Sequence, residues 1–291
     1  MSSKPSEEVE KINIRRFNLE SIKADAMIVC IGRRRVGKSF LTRAIMKMLA
    51  NRGMPYGKVY SGTEHCSPFF RKFFPRMFID NSFTDQDLAN IIQMQYKKTK
   101  KAARRMGTDE GKCLENNMLL VFDDMMSEEK IWKVSKHFKK LFTEGRHFHI
   151  LVVLILQYVL GIPPALRDNI DYAFLFANDG SALKKLYDNY CGVFPNFKLF
   201  REVFEQCTKD HRCMVIDKTV TSDNWQDKVF YYKATDPGKF RFGSRAFWAL
   251  HDENYYSSDD DDDDETNAQK KMKNIIHSYG EHGKTYVINI D

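Results

Sequence analysis

The amino-acid sequence predicts an α/β domain with a mostly parallel central sheet flanked by helices. Several short runs are apolar without interruption, as in strands buried on both faces: Met27 to Ile31, Met118 to Phe122, Ile150 to Leu156 and Tyr172 to Phe176. Other stretches carry apolar residues at helical spacing, most clearly Leu41, Ala44, Ile45, Met48 and Leu49. The two signals alternate along the chain, the pattern of a sheet covered on both faces.

The first twenty residues read as a tail or an edge element, and residues 21–250 as one domain with a C-terminal extension. Met27–Ile31 is the first strand, Gly32 ends it, and a helix follows from Lys38. Residues 57–64 read as a second short strand. Leu88, Ile91, Ile92 and Gln95 mark a helix running toward Lys101. After the Met118 strand, Ser127 is in place to cap a helix whose apolar face is Ile131, Val134, Phe138, Leu141 and Phe142. Cys213–Ile216 and Val229–Tyr232 fit edge strands or a terminal hairpin. The aromatics of residues 66–78 read as core. Residues 251–291 are an acidic low-complexity segment and tail.

Charge narrows the partners. Lys plus Arg is 46 and Asp plus Glu is 39, a net of +7. Seven of the acids form one run, Asp259 to Glu265, so the rest of the chain stands at +14. A basic body favours polyanions. Six scattered cysteines without a CxxC pair, and a polar, charged opening from Met1 to Arg15 unlike a secretory leader, fit a reducing intracellular compartment. The longest apolar run, Ile150–Leu156, is far too short to span a bilayer.

The chemistry is carried by "GRRRVGKS", Gly32 to Ser39, which matches G-x-x-x-x-G-K-[ST] between an apolar strand and an amphipathic helix. That context predicts the P-loop NTPase fold. Gly32, Arg33, Arg34, Arg35, Val36, Gly37, Lys38, Ser39 and Phe40 are assigned to the nucleotide: backbone N–H groups to the phosphates, Lys38 to the β and γ phosphates, Ser39 to Mg²⁺. The second half is "LLVFDD". Asp123, at the C-terminal end of its strand, is placed to hold the metal's water shell. Asp124 is the first candidate for activating the attacking water, and Glu128 the alternative. Gln157, directly after the Ile150 strand, is a candidate γ-phosphate sensor. The 84 residues between Lys38 and Asp123 suit ATPases with an extra strand between the two motif strands. Arg146 and Arg167 are candidates for transition-state charge stabilisation across a subunit boundary, Arg167 being read on the same side of the sheet as Gln157.

Two basic clusters point to non-specific nucleic-acid contact. "YKKTKKAARR" supplies Lys97, Lys98, Lys100, Lys101, Arg104 and Arg105, read as a projecting loop or a solvated helix face; Lys133, Lys136 and Lys140 share a helix face. No sequence-reading module is present. Cys207, His211 and Cys213, with Cys191, form a zinc alternative whose spacing argues instead for ordinary thiols.

"GRRRVGKS", "LLVFDDM", "EGRHFHILVVLILQY" and "IPPALRDNIDYAFLF", in this order, resemble the genome-packaging ATPases of large double-stranded DNA viruses, of poxvirus and giant-virus type. These belong to a broader superfamily of ring-shaped DNA pumps. The resemblance covers roughly residues 20 to 220. It implies ATP and Mg²⁺ as cofactors, translocation of double-stranded DNA by a homo-oligomeric ring, a capsid or portal-like partner, and host-cytoplasmic assembly sites or the virion as location. Asp124 stands where that superfamily commonly has glutamate. The alternatives are another nucleic-acid-dependent P-loop ATPase, or a small-molecule kinase.

Overall fold

The computed structural model describes residues 12–106, 116–125, 134–159, 161–178 and 180–255. The uninterrupted apolar runs are strands with both faces covered: β2 (Met27–Ile31) and β6 (Ile150–Leu156) are buried at every residue. With them in one sheet stand β1 (Arg15–Arg16), β3 (Tyr56–Ser61), β4 (Ile79–Asp80), β5 (Met118–Asp123), β7 (Tyr172–Phe176), β8 (Cys213–Asp217) and β9 (Val229–Tyr232). The strand order is β1-β9-β8-β7-β2-β6-β5-β3-β4. β7, β2, β6, β5, β3 and β4 pair in parallel, whereas β8 pairs antiparallel with both β7 and β9.

The strand between the two motif strands is present, but its origin differs from the expectation. It is β6, which follows β5 in sequence and pairs with β2 on one side and β5 on the other. The long segment before β5 supplies β3 and β4, which lie outside β5. The late apolar runs form the antiparallel pair β8–β9, and the N-terminal segment adds β1 at the edge, parallel to β9.

Helix α1 (Lys38–Asn51) buries the expected stripe and also Met46. It ends in a Schellman motif, with Gly53 at φ +81°, Gly53 N donating to Ala50 O and Met54 N to Leu49 O. Helix α2 (Asp85–Met106) starts from a capping box in which Thr84 and Asp87 bond each other's backbone N–H. It is longer than predicted and carries the basic segment, so that segment is a helix and not a loop. Helix α3 (Lys136–Glu144) is capped by Ser135, whose hydroxyl accepts from Phe138 N. The expected cap, Ser127, lies outside the described residues. Val134 is 74% exposed and not on the apolar face.

Helices α4 (Pro164–Arg167), α5 (Gly180–Tyr190), α6 (Phe197–Cys207) and α7 (Arg245–Asn254) complete the described α-helices. The Phe-rich stretch is core, as predicted: Phe73 stacks on Phe240, Phe74 on Phe242 and Phe78 on Phe247, fastening the C-terminal extension. The acidic run lies outside the described residues. No described helix is long and apolar enough to cross a membrane.

Candidate active site

Parallel strands bring their C-terminal ends to one side of the sheet, and the loop after β2 sits in the middle of that side. Gly32 is sterically obligatory: a Cβ there would lie 2.6 Å from the Cβ of Phe176. Gly37 caps α1 at φ +109°, a conformation that costs an L-residue dearly. The first turn of α1 contains no acid, so its free N–H groups and positive dipole end remain available to an anion. Lys38 folds back over the loop and donates to Gly32 O at 2.5 Å and Arg33 O at 2.6 Å. Burial lowers its pKa, while the charge of Asp123 opposes that shift. Ser39 and Phe40 are exposed on the first turn of the helix.

Asp123 ends β5, paired with Ser61 of β3 and Ile155 of β6. Its carboxyl is pushed up to about 7, by burial first and then by the neighbouring charge of Asp124, against the pull of Lys38. Asp124 has φ +51°, a left-handed conformation that Asp tolerates better than most residues. Its carboxylate accepts a hydrogen bond from the Gln157 amide, and Gln157 Oε1 accepts from Arg34 Nε at 3.3 Å. The relay Arg34–Gln157–Asp124 thus joins the phosphate loop to the ends of β6 and β5.

These groups face one cleft of about 860 Å³, within the range of small-molecule sites. Arg34, Arg35, Gly37, Lys38, Ser39, Phe40, Asp123, Asp124 and Gln157 all line it. So do residues that sequence reasoning missed: Thr63, Ser67, Ile155, His211, Lys233 and Ala234. Thr63 and Ser67 follow a buried strand end, the same signal that exposed Asp123. His211 and Lys233 reach the cleft only through the antiparallel pairing of β8 and β9, which no local motif announces. Glu64 was missed as well. Its buried carboxylate accepts from Phe69 N and Phe70 N at 3.0 Å and Arg71 N at 2.9 Å, pinning the Thr63–Ser67 loop.

Other predicted residues are elsewhere. Arg146 precedes β6 and pairs with Asp171 at 2.6 Å. Asp171 also accepts from Met27 N, so the pair sits where β2 begins, at the opposite end of the sheet from Lys38. Arg167 is not on the side of Gln157. Its chain has crossed to the start of β7, and its side chain is buried, donating to Ile162 O at 2.9 Å and to Asn189 Oδ1. Neither arginine meets the phosphate loop of its own chain.

Lys97, Lys100 and Arg104 are exposed on α2, also toward that opposite end. Lys98 instead turns onto Tyr56, donating to its hydroxyl at 2.8 Å. Glu128, Lys133 and the side chain of Arg105 lie outside the described residues. Cys191, Cys207 and Cys213 are buried, with thiols pushed up by burial, and no metal-holding group of His, Cys, Asp or Glu occurs among the described residues.

The likeness to known proteins follows the same boundaries. Residues 14–237 match the family model described as "Poxvirus A32 protein". An uncharacterized protein, L437, of Acanthamoeba polyphaga mimivirus is 37% identical over 246 residues, covering 84% of this chain and 85% of the relative. A second, 088R of Invertebrate iridescent virus 3, is 36% identical over 222 residues, covering 74% and 80%. Among solved structures, B204, the DNA-packaging ATPase from Sulfolobus turreted icosahedral virus, aligns with TM-score 0.51 at 16% identity, over 72% of this chain and 98% of that one. The pCW3 conjugation coupling protein TcpA, with ATPγS, gives 0.52 at 12%, over 74% and 62%. At such identities the structural likeness is one of fold, that of a P-loop ATPase. The family match spans the phosphate loop, the Asp123 strand and the β8–β9 extension together, and the chain belongs to the poxvirus A32 protein family.

Proposed function

We propose that the chain is a Mg²⁺-dependent ATPase that drives double-stranded DNA through a homo-oligomeric ring into a viral capsid, at assembly sites in the host cytoplasm. One observation carries the reading: Lys38, Asp123, Asp124 and Gln157, from three separate strand ends, line a single cleft beside an acid-free helix N-terminus. Family membership and the packaging ATPase of like fold support the genome-packaging role.

The donor set fits Mg²⁺. The Ser39 hydroxyl and Asp123 carboxylate are hard oxygen ligands on one cleft, and the burial and Asp124 charge that raise the Asp123 pKa, only partly opposed by Lys38, would be relieved by a cation bound there. When bound, the ion would draw charge from the phosphate oxygens. The rest falls to this chain's side chains. Lys38 exchanges the Gly32 and Arg33 carbonyls for phosphate oxygens. Asp124 holds the attacking water and takes its proton. Gln157, bonded to Asp124 and Arg34, reports whether the terminal phosphate is in place. DNA contact is sequence-independent, through Lys97, Lys100 and Arg104.

Lys38→Ala should reduce hydrolysis by on the order of a thousandfold without unfolding the protein. Normal hydrolysis by that variant would sink the site. Duplex DNA should stimulate the wild type, and the ring should strip a bound protein block from DNA processively; hydrolysis indifferent to DNA would point to a small-molecule kinase. Neutralising Lys97, Lys100 and Arg104 should weaken DNA binding and flatten its salt dependence, by up to about one unit of log–log slope per lost phosphate contact.

A further inference from the structure

The strand order gives the cleft a polarity. Viewed from β2, the carboxylates and Gln157 are all on the side of β6 and β5, whereas β7, β8 and β9 lie on the other. A triphosphate seated on the Lys38 loop with its terminal phosphate toward Asp123 therefore directs its nucleoside toward β8 and β9. There the cleft wall is made by His211 and Lys233, with Ala234 beside them. His211 precedes β8 and Lys233 follows β9, and because Cys213 pairs with Tyr232 the two residues emerge side by side.

The turn that presents His211 is built, not slack. Asp210 and His211 have φ of +55° and +61°, two successive left-handed residues that each cost on the order of 1 kcal/mol. Arg212 holds them in place: its guanidinium donates to Lys209 O and Gln206 O, both at 3.0 Å, and lies 5.5 Å from the Tyr231 ring centroid. The carbonyl of His211 lies 3.7 Å from where a Cβ on Gly37 would be, so the turn abuts the phosphate loop itself. Phe40, which lines the same cleft, leaves an aromatic ring 52% exposed on the first turn of α1. An exposed ring, two N–H donors and a methyl group on one cleft are the chemistry of a nucleoside site: a stacking face, donors for ribose hydroxyls and base lone pairs, and a small apolar surface.

We propose that the nucleoside half of the nucleotide is seated between Phe40 and the His211–Lys233 pair, so that the β8–β9 extension is the element that recognises base and ribose. This rests on the nucleotide site proposed above. It adds that the antiparallel end of the sheet, which carries none of Lys38, Asp123, Asp124 and Gln157, sets which nucleotide is held.

The test is competition binding on the full chain with a fluorescent ADP, using ATP and inorganic tripolyphosphate as competitors. His211→Asn keeps a residue that tolerates the left-handed turn and removes the imidazole; Lys233→Met keeps the stem and removes the charge. Together they should weaken ATP about ten- to hundredfold and tripolyphosphate less than about twofold. Phe40→Ser should act in the same direction, and Phe40→Trp should restore ATP affinity. Equal losses for ATP and tripolyphosphate would mean that these side chains serve only the phosphate chain, and would overturn the proposal. So would unchanged ATP affinity. Lys38→Ala separates the two readings, because it should weaken both competitors. If it weakens neither, the phosphate site itself has failed, whatever His211 and Lys233 do.

Discussion

The two ends of the sheet are made of the same kinds of residue and treat them in opposite ways. At the end where β2, β6 and β7 begin, polar side chains are tied into the fold. Asp171 receives Arg146 at 2.6 Å and Met27 N at 2.8 Å, and Asn117 donates to Ala24 O. Gln95, wholly buried on α2, donates to Asn116 O and Phe148 O and accepts from the Tyr56 hydroxyl. At the other end, Asp123 and Asp124 are adjacent acids, Lys38 holds only loop carbonyls, and Arg35, Asp124 and His211 have positive φ. The first end spends its polar groups on holding strands together. The second keeps charge and strain in reserve for a ligand, the signature of a working site.

Changes at the two ends should therefore break different properties. The largest effect on stability is expected at Asp123. With its pKa pushed up to about 7 in the folded chain and near 4 in the unfolded one, the folded state binds the extra proton. The benefit is complete below about pH 4 and is lost as pH rises through 7, so the metal- and nucleotide-free protein should weaken over that window by at most about 4 kcal/mol. Asp123→Asn should remove most of this slope and raise stability more at pH 8 than at pH 5, while abolishing hydrolysis. Urea melts across that pH range, in chelator, would show it. Parallel slopes for variant and wild type would mean that the carboxylate is not under strain.

The difference between the ends also explains what could be read from sequence. The functional end was legible where chemistry is local: an apolar run followed by glycine, lysine and serine, or by Asp123, places a group at a strand end without knowledge of the partners. Gln157 was legible for the same reason. Position across the sheet was not. Arg146 and Arg167 flank strands and look catalytic in one dimension, but one precedes its strand and the other has crossed to the far end before β7. His211 and Lys233 needed the antiparallel pairing of β8 with β9, and the inserted strand came from after Asp123, because strand order is decided by burial of whole strands and not by spacing. Gln95 sat within an apolar stripe and gave no sign that its amide would find the Asn116 and Phe148 carbonyls and a tyrosine.

A pair of glutamines sharpens the contrast. Gln95→Ala takes the acceptor from the Tyr56 hydroxyl, which keeps Lys98, and removes the amide donor from the Asn116 and Phe148 carbonyls; it should cost about 2 kcal/mol in denaturant melts, with hydrolysis per folded molecule little changed. Gln157→Ala releases a half-exposed carboxylate and should cost under about 0.5 kcal/mol, yet lower kcat about a hundredfold by freeing Asp124 and uncoupling Arg34. If the two variants lose stability and turnover in the same proportion, the division of labour between the ends is wrong.

The smallest effect is expected at Arg146, and it is the most direct probe of the far end. Its side chain is 61% exposed while Asp171 is 6% exposed, so solvent screens the cation and the carboxylate keeps the Met27 N–H when the arginine is removed. Arg146→Ala should then cost only about 1 kcal/mol. In a double-mutant cycle with Asp171→Asn, the coupling should account for most of that loss, because the ion pair with Asp171 is the contact that Arg146 loses. Hydrolysis per folded protomer should follow stability and nothing more. A hundredfold fall in turnover with an intact melting curve, appearing only at concentrations where protomers associate, would instead assign Arg146 to a neighbour's cleft. It would also mean that the quiet end of one sheet faces the reactive end of the next.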